Sequence, residues 1–169
     1  INLVTDSLPA FGLGMEKPDR NAMSVPPRDK KEGFFAGNLG LHIAIEGVFV
    51  GLLTLTSYII GETLLGSHEV GSTMAFVTLS LTQLFHSYNV KSDGSVFRKE
   101  TFDNKFLNLA FVVGVAMQML VVYVPGLNGV FQSVALSISQ LGIAVGFAFG
   151  IVIIMEIYKL VVRLVKRIK

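Results

Sequence analysis

Four long apolar stretches constrain the fold of this chain more than any other feature of its sequence. They cover residues 36–60, 70–88, 106–124 and 136–158, and a shorter stretch covers residues 1–15. Each of the four approaches the ~20 residues that an α-helix needs to cross about 30 Å of hydrocarbon. Only 15% of the residues are charged, whereas a soluble domain averages about 25%. The sequence therefore predicts an all-α membrane protein with four complete transmembrane helices and a truncated fifth helix at the N-terminus.

The positions of the basic residues predict how these helices are oriented in the membrane. All 14 lysines and arginines fall in residues 16–35, 91–105 and 159–169, and the connectors at 61–69 and 125–132 hold none. Because basic residues stay on the cytoplasmic side during insertion, we predict a cytoplasmic loop at 16–35, a four-helix bundle at 36–158 and a basic cytoplasmic tail at 159–169. A soluble all-α fold would leave its helices apolar on every face, which is rare outside membranes.

Composition also excludes several classes of function. A net charge of +2 and 51% hydrophobic residues argue against a nucleic-acid partner, which would require a basic face on a soluble domain. The absence of cysteine excludes disulfides and thiolate chemistry. No phosphate loop or nucleophile motif is present, so we predict neither catalytic nor cofactor-binding residues. The chain begins inside an apolar segment, and we therefore expect it to be part of a longer protein.

The first apolar stretch carries a cluster of oxygen-bearing side chains that is typical of an ion site. Asn2, Thr5 and Asp6 are spaced so that they share one face of a helix. Pro9 lacks an N–H group, which frees the backbone carbonyl of Thr5 from its helical hydrogen bond. A carboxylate, an amide and a freed carbonyl suit a hard cation such as calcium, which takes 6–8 oxygen ligands. Other helices must complete the ligand shell, and a structural carboxylate neutralised by a neighbour is the alternative.

The second stretch presents a polar face and a face of small residues. Asn38, His42 and Glu46 recur at intervals of four, and we expect this face to meet protein rather than lipid. His42 and Glu46 either relay protons or form a structural hydrogen-bonded pair. The opposite face predicts a close helix–helix seam that comprises Gly40, Ala44, Gly47 and Gly51.

The later stretches give weaker functional signals. Gln83 either offers an amide oxygen to an ion or bonds a neighbouring helix. Gly142, Gly146 and Gly150 repeat a Gly-x-x-x-Gly pattern, which predicts helix packing. The basic tail either binds acidic lipid headgroups or simply ends a helix on the cytoplasmic side.

Several segments resemble one family of membrane proteins. Residues 2–10 read Asn-Leu-Val-Thr-Asp-Ser-Leu-Pro-Ala, and Gly-Leu-Gly-Met-Glu at 12–16 and Pro-Pro-Arg at 26–28 follow. This run resembles the sixth membrane helix and the following loop of the P-type calcium ATPases. Residues 73–89 resemble their eighth helix, and residues 102–125 resemble their ninth.

The resemblance implies a set of calcium ligands. Matched residue by residue, Asn2 and Asp6 are expected to coordinate calcium, with Thr5 beside them. Gln83 stands where family members with two calcium sites have a glutamate, so the chain is similar to pumps that carry one calcium per cycle. Thr5 and Gln83 are therefore the weaker candidates.

The resemblance also implies what surrounds the chain. It is expected to be the membrane-embedded, ion-binding part of an ATP-driven calcium pump, and to be inactive without the pump's N-terminal transmembrane helices and cytoplasmic domains. Calcium is then the transported ion, and Mg²⁺ and ATP act in the full-length pump. Membrane lipid is the other expected partner, and the short loops suggest a bacterial cell membrane. The alternatives are a small self-contained ion-exchange carrier and a non-catalytic membrane scaffold.

Overall fold

The computed structural model describes residues 2–16, 39–91 and 95–168, and it contains only helices in these ranges. In chain order they are α1 (Asn2–Gly14), α2 (Leu39–Thr63), α3 (His68–Val90), a 3₁₀ turn (Lys99–Phe102), α4 (Lys105–Tyr123), α5 (Leu127–Val130) and α6 (Ile138–Ile168). The predicted loop at 16–35 lies almost entirely outside the described residues. The predicted tail at 159–169 is a continuous extension of α6 rather than a separate element.

Local sequence explains where the later helices begin and end. The side chain of Asn104 caps α4 by accepting a hydrogen bond from the Leu107 N–H at 2.9 Å. This helix ends at Tyr123 because the next residue, Val124, precedes a proline and takes an extended conformation. At the start of α6, Ser137 and Gln140 exchange backbone and side-chain hydrogen bonds, which is the geometry of a capping box.

Helix α3 is the central element of the bundle, because it packs against α1, α2, α4 and α6. Met74, Val77 and Leu84 on α3 are fully buried. Toward the Val90 end of α3, the Phe85 ring lies 5.3 Å from the Phe111 ring and 5.5 Å from the Phe149 ring, measured between centroids. The aromatic side chains thus join α3 to α4 and α6.

The closest approach between α2 and α3 occurs at two glycines near their connection. A Cβ atom on Gly61 would lie 2.7 Å from the Cα of Gly71, and a Cβ atom on Gly71 would lie 2.8 Å from the carbonyl oxygen of Tyr58. Only glycine permits this backbone contact. Farther along α2, Ser57 is buried and accepts a 2.7 Å hydrogen bond from Thr78, which extends the same interface toward the middle of the bundle.

Three described helices are long and apolar enough to cross a membrane, namely α2, α4 and residues 138–165 of α6. The all-α membrane fold is thereby confirmed. Helix α3 has the length, at about 34 Å for 23 residues, but its polar residues keep it below the hydropathy of the other three. Because four helices of the chain surround α3, these polar groups face protein. The predicted span at 70–88 therefore falls on a helix that is less apolar than the other three.

The small-residue stripes do not form the helix contacts within the described chain. Ala44, Gly47 and Gly51 are exposed, and no atom lies within 4 Å of a Cβ built on either glycine. The same is true of Gly142 and Gly146. The reason is that α2 turns its polar face, rather than its glycine face, toward the bundle. The prediction of a seam at Gly47 therefore stays a prediction for other parts of the protein.

In α6 the packing face consists of larger residues than the predicted glycine pattern. Ala144, Ala148 and Ile151 are completely buried, whereas Gly150 meets only the Leu53 side chain, at 3.4 Å. The Gly-x-x-x-Gly pattern lies on a neighbouring face of the helix. Gly142 and Gly146 thus pack against no other described helix, and the prediction of helix packing at this pattern stays a prediction for other parts of the protein.

Candidate cation site and membrane-embedded polar residues

The oxygen-bearing residues of α1 divide between the bundle and its outside. Thr5 is 1% exposed and Pro9 is buried, whereas the neighbouring Asp6 is exposed. Among the described residues, no hydrogen bond or ion pair to the Asp6 carboxylate is seen. Asn2 belongs to α1, but its side chain lies outside the described residues. The predicted ligand face is therefore split, with Thr5 turned toward the chain's own helices and Asp6 turned away from them.

The C-terminal end of α1 is fixed to α4 by a direct backbone contact. A Cβ on Gly12 would lie 2.9 Å from the Cα of Leu107, so the two helices touch at this point. Beside it, the buried Asn104 side chain donates hydrogen bonds to the Gly12 carbonyl at 2.8 Å and to the Glu16 carboxylate at 2.6 Å. The same residue caps α4 through its side-chain oxygen, so a single asparagine joins both helices.

Lys91 extends this connection to the end of α3. Its ammonium group lies 3.6 Å from the Glu16 carboxylate and donates to the carbonyl oxygens of Glu100 at 2.6 Å and Thr101 at 3.0 Å. Only 6% of the Lys91 side chain is exposed. Two side chains, Asn104 and Lys91, thus hold the C-terminal end of the helix that carries Asp6.

The same end of α3 is also joined to α6. Lys159 donates to the Asn89 carbonyl at 2.7 Å, and the Val96 N–H donates to the Glu156 carboxylate at 2.8 Å. These contacts gather Lys91, Lys105 and Lys159 at one end of the bundle. At the opposite end, Tyr123 donates to the Leu136 carbonyl at 3.0 Å, and the connectors there carry no lysine or arginine.

Gln83 presents a buried oxygen that has no hydrogen-bond partner among the described residues. The hydroxyl groups of Ser80 and Thr82 are likewise buried and unpaired there, as are both amide atoms of Gln118 on α4. Such groups are costly to leave unsatisfied, by about 1–3 kcal/mol each. This part of α3 and α4 therefore requires polar partners beyond those that the described residues supply.

The polar face of α2 meets the bundle, as its spacing predicts, but through two separate pairs. Glu46 Oε2 lies 3.3 Å from His86 Nε2 on α3. His42 Nδ1 lies 2.6 Å from the hydroxyl oxygen of Tyr158 on α6. His42 and Glu46 thus bond to different helices instead of to each other, while Asn38 lies outside the described residues.

The part of the chain that the structure describes offers too few donors to enclose a cation. Among the described residues there is no group of three or more histidine, aspartate or glutamate side chains that could hold a metal ion. Asp6 offers one accessible carboxylate, which can supply charge and one or two oxygens to a hard divalent ion. The arrangement can therefore contribute to a cation site whose other ligands come from elsewhere.

Some structurally important residues gave little signal in the sequence. Asn104 stands directly before an apolar run, where asparagine is a preferred helix cap, so its capping role could have been predicted. Its second role, joining α1 to α4 across 92 positions of the sequence, leaves no local pattern. Gly61 and Gly71 also belong to no repeat, because each is matched to a partner on the other helix.

Comparisons with known proteins identify related sequences. A family model described as the C-terminus of cation transporting ATPases matches residues 1–161. The chain is 35% identical over 153 residues to a calcium-transporting ATPase of Bacillus subtilis, covering 88% of this chain and 17% of that protein. The identity to calcium-transporting ATPase 1 of Lactococcus lactis is 37% over 161 residues, which cover 94% of this chain and 18% of that protein. The identity to the human calcium-transporting ATPase type 2C member 1 is 30% over 166 residues, which cover 96% of this chain and 18% of that protein. The chain thus spans about a fifth of the length of these relatives.

Proposed function

The chain belongs to the cation-transporting ATPase family, in the C-terminal region of that family, and on this premise we propose that it forms the membrane-embedded, ion-binding part of an ATP-driven calcium pump. The observation that carries the proposal is the family match over residues 1–161, together with relatives named as calcium-transporting ATPases. This match favours a pump over a self-contained carrier or a membrane scaffold. ATP hydrolysis with Mg²⁺, and transport itself, are proposed for the full-length protein and not for this chain alone.

Asp6 and Asn2 are the calcium ligands in this proposal. Asp6 is exposed on α1 while its neighbour Thr5 is buried, so its carboxylate is accessible to ligands that other parts of the pump supply. Both residues are one helical turn apart, and calcium prefers oxygen ligands of this kind. Thr5 then contributes at most its backbone carbonyl, because its side chain faces the bundle.

Gln83 is proposed to be a neighbour of the site rather than a ligand. A neutral amide brings one oxygen and no charge, which is a poor substitute for a carboxylate at a divalent ion. Asp6 is the only carboxylate within α1 and Gln83 adds no charge, so the pump is expected to move one calcium ion per ATP.

The basic end of the bundle is proposed to face the cytoplasm. Lys91, Lys105 and Lys159 lie at one end of the helices, and the connectors at the other end have no basic residue. The positive-inside rule assigns such an end to the cytoplasm. The similarity to pumps of Bacillus and Lactococcus supports a bacterial cell membrane. The partners are lipid and the remaining helices and cytoplasmic domains of the same pump.

ATP-driven calcium uptake tests this proposal. The full-length protein is reconstituted into lipid vesicles, and ⁴⁵Ca²⁺ accumulation is measured with and without MgATP. We expect uptake only with MgATP, and release of the accumulated ion by a calcium ionophore. ATP hydrolysis that does not require calcium, without calcium accumulation in the vesicles, would contradict the proposal.

A further inference from the structure

A cleft of about 280 Å³ lies between α4 and α6, and α3 forms its floor. The two outer helices both pack against α3 but make no extensive contact with each other in the described part of the chain. No described residue of α1 lines the cleft, so it is separate from the candidate cation site. Its walls are almost entirely apolar, and the side chains that the three helices contribute include Phe85, Tyr88, Phe111, Val112, Phe149 and Val152.

The two polar side chains in the lining, Tyr88 and Asn108, are bonded within the wall. The Tyr88 hydroxyl donates to Asn108 Oδ1 at 3.0 Å, and Asn108 Nδ2 donates to the Phe102 carbonyl at 2.7 Å. Neither side chain has a buried polar atom without a partner among the described residues. An apolar cavity of this kind does not hold water, and a polar ligand would need convergent polar groups to orient it. The cleft therefore suits an apolar chain.

The cleft extends over only part of the membrane thickness. On α4 its lining ends at Val112, seven residues after the helix begins at Lys105, which is about 10 Å. On α3 its lining begins at Phe85, five residues before the helix ends at Val90, which is about 8 Å. Because the hydrocarbon core is about 30 Å thick, the cleft lies within one leaflet, at the basic end of the bundle.

The connector between α3 and α4 closes the basic end of the cleft. Its Val96 N–H donates to the Glu156 carboxylate of α6 at 2.8 Å, so the connector crosses from α6 to the start of α4. Phe97 and Phe102 of this connector line the cleft. A transmembrane helix must continue past both membrane surfaces, so it cannot occupy a groove that is closed at one end. A lipid chain can enter such a groove from the side.

We propose that the cleft binds an acyl chain of an anionic phospholipid from the leaflet at the basic end. Val112 and Phe149 are exposed at its outer side, where a lipid chain would enter. Residues 91–105 and 156–169, which meet at this end, contain nine basic and four acidic residues, and such an excess attracts anionic headgroups. The inference goes beyond the proposed function, because it depends on the membrane fold and not on the transported ion.

Photo-crosslinking with a phosphatidylglycerol that carries a diazirine on its acyl chain tests the site. The full-length pump is reconstituted into phosphatidylcholine vesicles with increasing mole fractions of this lipid, and the labelled residues are identified by mass spectrometry. Labelling at Phe111 and Phe149 should saturate. Labelling at Leu120, which is exposed on α4 outside the cleft, should rise in proportion to the mole fraction. A diazirine-bearing phosphatidylcholine should need a higher mole fraction to label the cleft equally.

A variant that fills the cleft separates a binding site from general contact with lipid. Val112→Trp should lower the saturable labelling by about tenfold, because the larger side chain overpacks the space that the acyl chain needs. Leu120→Trp is the matched control on the same helix and should leave the saturable labelling unchanged.

Three results would overturn the proposal, and the first two need only the wild-type pump. They are cleft labelling that rises only in proportion to the mole fraction, and absence of labelling in the cleft while Leu120 is labelled, which would show that another part of the pump covers it. The third is unchanged saturable labelling in Val112→Trp. Equal saturation by the two headgroups would contradict the anionic specificity. ⁴⁵Ca²⁺ uptake by the same vesicles reports on the proposed function separately.

Discussion

Replacing Gly61 by alanine should separate α2 from α3 at their closest contact. The added Cβ would lie 2.7 Å from the Cα of Gly71 and 2.9 Å from the sulfur of Met74, whereas carbon atoms prefer about 3.5–4.0 Å. The helices must therefore move apart by roughly 0.8 Å, and overpacking of this kind costs about 1–3 kcal/mol. Alanine also favours a helix over glycine by about 0.5–1 kcal/mol, which offsets part of that cost.

Gly14→Ala is the control, because a Cβ at this helical position of α1 has no atom within 4 Å and Gly14 belongs to no predicted seam. Gly61→Ala should be less stable than this control by about 1–3 kcal/mol, the cost of overpacking. Thermal unfolding of the full-length pump in detergent measures the difference, and the Gly61 variant should have the lower midpoint. A Gly61→Ala pump that is as stable as the control would refute the backbone contact.

Three further predictions follow from the same structure. Asn104→Ala should lower the stability of the full-length pump by about 1–3 kcal/mol, because buried partners lose their hydrogen bonds. The control Asn128→Ala should have little effect, and equal thermal unfolding midpoints for the two variants would contradict the prediction. Single cysteines at Ser67 and Ser95 in a cysteine-free pump should be labelled from opposite sides of the membrane, and labelling from the same side would exclude the proposed orientation. Gln83→Ala should leave the ratio at one calcium ion per ATP, and a measured ratio of two in the unmodified pump would show that the single-site proposal is wrong.

The sequence predicts the helices better than their contacts. Apolar length alone predicts α2, α3, α4 and α6, since a span must satisfy its backbone hydrogen bonds within one segment. The direction of each helix face is harder to predict, because it depends on what the neighbours offer. Polar His42 and Glu46 turn inward to reach Tyr158 and His86, and this leaves Gly47 on the outside. A stripe of small residues could not reveal that outcome without knowledge of those partners.

The candidate site was predictable only in part for the same reason. Spacing places Asn2, Thr5 and Asp6 on one broad face of α1, but the neighbouring α3 and α4 divide this face. They bury Thr5 and leave Asp6 exposed. The anchor at Asn104 depends on a contact between residues far apart in the sequence, and no periodicity carries that information.

Calcium activation of an Asp6→Asn pump tests the central claim most directly. Asparagine keeps the shape of the side chain but removes the charge that offsets dehydration of a divalent cation. In the full-length pump we expect loss of calcium-dependent phosphorylation by ATP, while phosphorylation by inorganic phosphate, which uses the ion-free site, persists. In the unmodified pump, calcium affinity should weaken as pH falls, because protons compete for Asp6. An Asp6→Asn pump with wild-type calcium affinity would contradict the assignment of the ion site to α1.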